Sequence, residues 1–344
     1  DAPFQVGADI GLVTAASEVL GHLVLTGGAL TADVVEFEVK RALEWLENER
    51  ADSRRFAACL ILTQMADNAP TVFNVQVPGF IHAIWFGLRD PKVIIRERAR
   101  VALRSCLIVV EKRETRYRVQ WYYKLFEETV KGLGSRATLE SAHGSLMALG
   151  ELLDHSGEFM LARYKEVAET VLTFRDHREK IIRTCVTSIL PRMAAFAPER
   201  FAISYLGATM QYLHGVLRSN SNNEKGIGFT ALGELAQSLG TGYGIAGLTS
   251  HLAPLAVAMK EVLGKRKKPN QGCTEAIIAA GKIAQHIGAV WEPYVRDFLD
   301  LLFATGLTPT LVTTLGQFAS KLTGLTCGIR DRLLETIHLV LAKR

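Results

Sequence analysis

The chain has 344 residues, and 40 Lys plus Arg against 35 Asp plus Glu leave a net charge of +5. That surplus is too small for a dedicated nucleic-acid binder, whose basic face dominates its charge. With 48% hydrophobic and 22% charged residues, the chain can bury enough apolar surface to offset its ordering entropy, which excludes intrinsic disorder. The first residue is Asp1 and no signal peptide is visible, so the sequence reads as a portion of a larger protein.

The elements are helical from the start. Ile10–Leu25 reads as a partial first unit, spanning 1–30. In unit 31–70 a first helix places Val35, Val39, Ala42, Leu43 and Leu46 on one face. A second, after Asp52 and the pair Arg54-Arg55, carries Ala57, Ala58, Leu60, Ile61 and Met65. In unit 77–110 Pro78 opens a helix with the stripe Phe80, Ile81, Ile84, Trp85 and Leu88. Asp90-Pro91 marks the turn, with Asp90 a candidate cap. Ile95, Ala99, Ala102, Leu103 and Cys106 follow on the return helix, where the alanines allow close approach. Arg96 is spaced to reach the Asp90 carboxylate or the next repeat's turn.

Unit 120–155 carries Trp121, Tyr122 and Tyr123, which cannot all face a core, and Glu127-Glu128 beside Lys124 and Lys131 as surface ion pairs. In unit 160–197 Asp176 and Arg183 repeat the turn chemistry of Asp90 and Arg96, ahead of the stripe Cys185, Val186, Ile189, Leu190 and Met193. Units 200–240, 250–288 and 292–322 vary the theme, the last with a Gly306-Leu-Thr-Pro309 turn. A terminal helix covers 327–344. Alternation of period two is scarce, so no sheet is expected.

One string ties the units together: an apolar residue, two others, then another apolar residue. It starts at Leu62, Leu103, Leu149, Leu190, Leu232, Ala280 and Leu315, at spacings of 41, 46, 41, 42, 48 and 35 residues. That period belongs to HEAT and armadillo hairpins. The expected fold is all-α: one continuous α-solenoid (superhelix) of about seven HEAT-type helical hairpins, whose output is to hold other chains at set distances.

Motifs for chemistry are few. Gly242-Tyr-Gly244-Ile-Ala-Gly247 matches G-x-G-x-x-G, but a helical stripe precedes it where the dinucleotide fold needs a strand, so it reads as an inter-helix loop. Neither HRD nor DFG occurs, nor GxSxG, HExxH or CxxC. No catalytic, cofactor-binding or metal residue is expected, and no cofactor. His143, His155 and His177 lie near turns and read as caps or surface residues. Four of the five cysteines sit in apolar stretches, which suits buried thiols in a reducing cytosol. The uncharged stretches 301–320 and 235–259 are interrupted by Pro and Gly, and no membrane insertion is expected. Glu111 to Arg118 reads as an exposed charged loop. Lys265-Arg266-Lys267-Lys268 is either a solvated loop or a docking patch for an acidic partner, anionic lipid headgroups or an import receptor.

Specific strings go further. Val35-Glu36-Phe37-Glu38-Val39-Lys40-Arg41-Ala42-Leu43-Glu44-Trp45-Leu46 resembles the N-terminal HEAT region of the target-of-rapamycin (TOR) kinases. So do Asp90-Pro91-Lys92 with Ile95-Arg96-Glu97, Gln120-Trp121-Tyr122 with Phe126-Glu127-Glu128, and Leu190-Pro191-Arg192-Met193-Ala194-Ala195-Phe196. The resemblance implies part of a large phosphatidylinositol-3-kinase-related Ser/Thr protein kinase that controls growth in response to nutrients, with its kinase domain elsewhere. Implied partners are the complex's protein subunits, Raptor-like or Rictor-like, and a second kinase copy in a dimer. The implied location is cytoplasmic, with recruitment to the vacuolar or lysosomal surface. The compact segment between Leu153 and Tyr164 lacks the long insertion of animal members and suggests a fungal-type or other short-loop member. The competing expectation is a nuclear-transport or adaptor solenoid whose 265–268 loop binds acidic peptide.

Overall fold

The computed structural model describes residues 9–113, 117–240, 243–264 and 271–342. Every regular element among them is helical. The chain packs as two compact units, Asp1–Thr173 and Phe174–Arg344.

The first unit contains α1 (Ile10–Gly27), α2 (Ala32–Asn48), α3 (Asp52–Asn68), α4 (Pro70–Leu88), α5 (Val93–Glu111), α6 (Arg118–Gly132), α7 (Leu139–His155), α8 (Glu158–Leu161) and α9 (Tyr164–Thr173). Its helices form two rows. In one row α1 packs on α3, α3 on α5 and α5 on α7; in the other α2 packs on α4 and α4 on α6. Hairpins α2/α3, α4/α5 and α6/α7 join the rows.

The second unit contains α10 (Lys180–Phe196), α11 (Pro198–Ser204), α12 (Leu206–Leu217), α13 (Asn222–Leu239), α14 (Tyr243–Thr249), α15 (Leu252–Leu263), α16 (Gln271–Ile287), α17 (Glu292–Ala304), α18 (Pro309–Lys321) and α19 (Thr326–Ala342). Here α10, α13, α16 and α18 form one row, and α12, α15, α17 and α19 the other. Each unit is thus a stack of antiparallel hairpins, the α-solenoid arrangement.

The recurring apolar string explains the stacking. Three copies fall on the row α3, α5 and α7 of the first unit, and four on the row α10, α13, α16 and α18 of the second. Both apolar residues of every copy are buried, from Leu62 and Met65 to Leu315 and Phe318. Burying each large side chain contributes roughly 1.5–3 kcal/mol, so this row is the spine of each unit. Small residues set its spacing. A Cβ on Gly87 of α4 would lie 2.9 Å from the Ala99 Cβ of α5, and one on Gly144 of α7 would lie 1.9 Å from the Leu88 carbonyl oxygen.

Several elements differ from the sequence reading. Helix α4 begins at Pro70, its first-turn proline, and Pro78 lies inside it. An interior proline removes one helical hydrogen bond at a cost of about 3 kcal/mol. Burial of Phe73, Val77, Phe80, Ile81 and Ile84 on the continuous helix offsets that cost. Gly244 and Gly247 lie in helix α14 rather than a loop, and Gly242 lies outside the described residues. The 306–309 turn is as expected: Gly306 has φ +90° and Thr308 caps α18 by accepting from the Leu311 N–H at 3.1 Å. Cys59, Cys106, Cys185 and Cys273 are buried free thiols and Cys327 is exposed.

A stretch within 10–48, outside the two uncharged stretches noted from sequence, is long and apolar enough to cross a membrane by length and composition. In the fold α1 packs on α3 through the face carrying Ser17, Gly21 and Val24 and leaves Leu12, Val19, Leu23 and Leu25 exposed.

Candidate partner-binding surface

The turn residues singled out by sequence do meet, in an arrangement that sequence did not specify. Arg55, Arg96 and Arg183 are each the fourth residue of their helix, α3, α5 and α10. Each reaches back to the carbonyls six and five residues earlier. Arg55 Nη1 donates to Glu49 O (3.2 Å) and Arg50 O (2.6 Å). Arg96 Nη1 donates to Asp90 O (2.6 Å) and Pro91 O (3.1 Å). Arg183 Nη1 donates to His177 O (3.0 Å) and Arg178 O (2.8 Å).

Each also reaches forward to the following repeat. Arg55 Nε donates to Asp90 Oδ2 at 2.6 Å, Arg96 Nε to His143 Nδ1 at 3.1 Å, and Arg183 Nη2 to Glu224 Oε1 at 2.9 Å. One guanidinium therefore closes its own turn and latches the next hairpin. The planar fork with five donors makes Arg suited to this double duty. Burial works against the Arg55 charge, but Asp90 and Asp52 outweigh it and hold its pKa above the ordinary value.

Two expectations are corrected here. Arg96 does not bind the Asp90 carboxylate, because Arg55 holds Oδ2 and the Lys92 N–H donates to Oδ1 at 2.8 Å. Asp176 is no counterpart of Asp90: it is exposed and pairs with its neighbour Arg175 at 3.1 Å. The α10 turn instead uses His177, whose Nδ1 accepts from the Glu179 N–H at 3.1 Å.

Beyond the turn, α5 presents Arg100 and Arg104 to the fully buried Glu151 of α7. Arg100 Nη1 lies 3.0 Å from Oε1; Arg104 donates from Nε to Oε2 (2.8 Å) and from Nη2 to Oε1 (3.0 Å). Arg96, Arg100 and Arg104 follow a four-residue spacing, the signal that could have exposed this stripe. His143 is not a surface residue. It is 5% exposed on α7, and burial, then Arg96 and Arg100, push its pKa down to about 4. His155 sits at the α7 C-terminus with Nδ1 3.0 Å from Glu111 Oε2. Tyr122 is buried and donates to the His155 carbonyl (2.9 Å), Trp121 stacks on Tyr117, and Tyr123 points to solvent.

Two of the concave features among the described residues are large enough to receive a side chain or more. In the first unit a groove of about 560 Å³ runs between α4 and α6, lined by Pro78, Ile81, His82, Trp85, Phe86 and Arg89 on one side and Lys124, Glu127 and Glu128 on the other. In the second unit a smaller cavity of about 340 Å³ lies among α10, α12 and α13. Its polar lining is internally satisfied: Arg183 binds Glu224, the Tyr212 hydroxyl lies 3.0 Å from that of Thr187, and Ser219 donates to Glu224 at 2.6 Å. Lys265, Arg266, Lys267 and Lys268 lie outside the described residues. Among the described residues no cluster of His, Cys, Asp and Glu is placed to hold a metal.

Comparison with known proteins decides the family. The chain is 47% identical over 340 residues to the Serine/threonine-protein kinase TOR of Arabidopsis thaliana, covering 99% of this chain and 13% of that one. The rice kinase of the same name is 46% identical, over 99% of this chain and 14% of its own length. The chain belongs to the TOR family. The fission-yeast kinase tor1 is 32% identical over 94% of the chain. Identity is higher to the plant kinases than to this yeast TOR, so the short 153–164 segment does not by itself mark a fungal-type member. The chain spans about one seventh of the length of these TOR kinases. No family model matches it. Among solved structures the karyopherin Kap121p superposes with TM-score 0.68 over 94% of this chain and 34% of its own, at 13% identity. That likeness confirms the α-solenoid fold and reaches no further.

Proposed function

We propose that this chain is a non-catalytic scaffold segment of a TOR kinase, holding partner subunits of a growth-control kinase complex in position relative to a kinase site elsewhere in the protein. The observation that carries this reading is the pairing of near-complete coverage of the chain with coverage of only 13% of its Arabidopsis relative. The kinase name belongs to the whole relative, while this segment contains neither HRD nor DFG. Its helices form stacked hairpins latched repeat to repeat by Arg55, Arg96 and Arg183. Rigid stacking of this kind suits a positioning role.

The partners proposed are Raptor-like or Rictor-like subunits and a second kinase copy, in the cytoplasm and at the vacuolar or lysosomal surface. The transport-adaptor alternative has only the fold likeness to a karyopherin in its favour. Two measurements on the purified chain test the reading. Phosphotransfer assays return no turnover, and pull-down recovers the kinase complex's companion subunits in preference to nuclear import factors. Reproducible turnover, or preference for import factors, overturns it.

A further inference from the structure

The groove between α4 and α6 has a polar lining that is left incomplete. Its floor is apolar and aromatic: Trp85 is 5% exposed, whereas Phe86 is 49% exposed at the rim. Two N–H donors lining it, Trp85 Nε1 and Arg89 Nε, are buried and have no acceptor. A buried donor without an acceptor carries a desolvation penalty that a bound acceptor would remove. The Arg89 guanidinium lies over the Trp85 ring, 4.8 Å from its centroid, and its Nη2 donates to the Glu128 carbonyl oxygen at 3.1 Å and to Glu128 Oε2 at 3.2 Å. The ion pair is partly exposed and weak, so a ligand oxygen that reaches the two donors must displace Arg89 from one ion pair and one carbonyl bond.

The charges at the rim set the sign of the ligand. Glu128 is already neutralised by Lys131 (2.9 Å) and Arg89, and Glu127 lies 3.5 Å from Lys131. Lys124, exposed on the opposite wall from Trp85, makes no ion pair among the described residues. The lining balances Arg89 and Lys124 against Glu127 and Glu128, but both carboxylates already contact Lys131 from outside it, which leaves Lys124 as the cation without a partner among the described residues. The buried unmet atoms of the lining, Trp85 Nε1 and Arg89 Nε, are donors.

We infer that the α4–α6 groove docks a peptide segment of a partner protein that pairs a bulky apolar side chain with a nearby carboxylate. The apolar group packs on Ile81, Trp85 and Phe86. The carboxylate faces Lys124 and accepts from the Trp85 and Arg89 donors. The inference rests on the scaffold reading and gives it a location and a ligand chemistry.

The test is selection of a random twelve-residue peptide library on the purified chain, followed by anisotropy titration of the enriched peptides. Enriched sequences should pair Leu, Phe or Trp with Asp or Glu within four residues. Their binding should weaken at least tenfold in Lys124→Glu and in Phe86→Ala, both exposed positions whose substitution leaves the helical circular dichroism unchanged. Replacing the peptide's carboxylates by amides should weaken binding to the same degree. Basic or purely apolar enriched sequences, or binding indifferent to both variants, overturn the assignment. So does a failure of any sequence to enrich. Because companion-subunit pull-down by the same chain is read separately, loss of the groove assignment and loss of the scaffold reading are distinguishable.

Discussion

Arg55 and Asp90 meet across 35 residues of sequence, Nε to Oδ2 at 2.6 Å, and join the turn of one hairpin to the turn of the next. Asp90 is 2% exposed, and its other oxygen accepts from the Lys92 N–H. Removing Arg55 strands the Asp90 charge in a buried site, which costs about 3 kcal/mol or more, whereas removing Asp90 leaves Arg55 paired with Asp52 at 2.8 Å. Arg55→Ala should therefore lower the stability of the first unit by about 3 kcal/mol in urea unfolding, and Asp90→Ala by less. Adding Arg55→Ala to it should cost far less than Arg55→Ala alone, a coupling read from the double-mutant cycle.

Glu151 makes a second latch, with Arg100 and Arg104 both on its carboxylate. The residue is fully buried, so Glu151→Ala leaves two guanidiniums facing an uncharged cavity. A loss of about 3 kcal/mol is expected, and roughly half as much for Glu151→Gln, which keeps an acceptor. Equal effects of the two variants would show that the charge alone sets the loss, and an undiminished Glu151→Gln would show that volume does.

Two glycines with opposite surroundings give a matched pair. Gly144→Ala forces a Cβ to 1.9 Å from the Leu88 carbonyl, a backbone clash that only separation of α4 and α7 relieves. Overpacking of this kind costs about 1–3 kcal/mol, occasionally more. Gly316 of α18 has open space where its Cβ would stand, and Gly316→Ala should stabilise by about 0.5–1 kcal/mol through helix propensity. Thermal melts of the two variants should move in opposite directions.

The helices are readable from sequence because each buries a stripe at helical spacing, and the string that recurs from Leu62 to Leu315 marks one row in each unit. The turn at Asp90-Pro91 and its arginine are also visible, since Arg96 stands at a fixed distance from it. The acceptor of each guanidinium is not. Asp90 serves Arg55 and not Arg96, because stacking brings the preceding repeat's α3 alongside, and no local pattern carries that register. Pro78 misleads for a related reason: local chemistry favours a helix start, and the burial of Phe73 and Val77 overrides it. The groove is invisible in sequence, since it arises from how far α6 stands from α4.

His143 predicts a pH dependence. Its folded-state pKa, pushed down to about 4 by burial and then by Arg96 and Arg100, lies below the unfolded value near 6.5. The unfolded state therefore binds the proton first, and stability falls as pH drops from about 6.5 toward 4. Arg96 donates to Nδ1, which requires the unprotonated nitrogen. His143→Asn keeps an acceptor at that point without titrating. Between pH 7 and 4.5 the wild-type chain should lose on the order of 2 kcal/mol more than the variant. Parallel slopes would contradict the assignment.

The claim that this segment holds partner subunits is tested most directly by crosslinking mass spectrometry of the intact kinase complex. The expected result is crosslinks from lysines of this segment, Lys124 and Lys131 beside the α4–α6 groove among them, to companion subunits or to a second kinase copy. Crosslinks confined to the segment itself, with none to another chain, would contradict it.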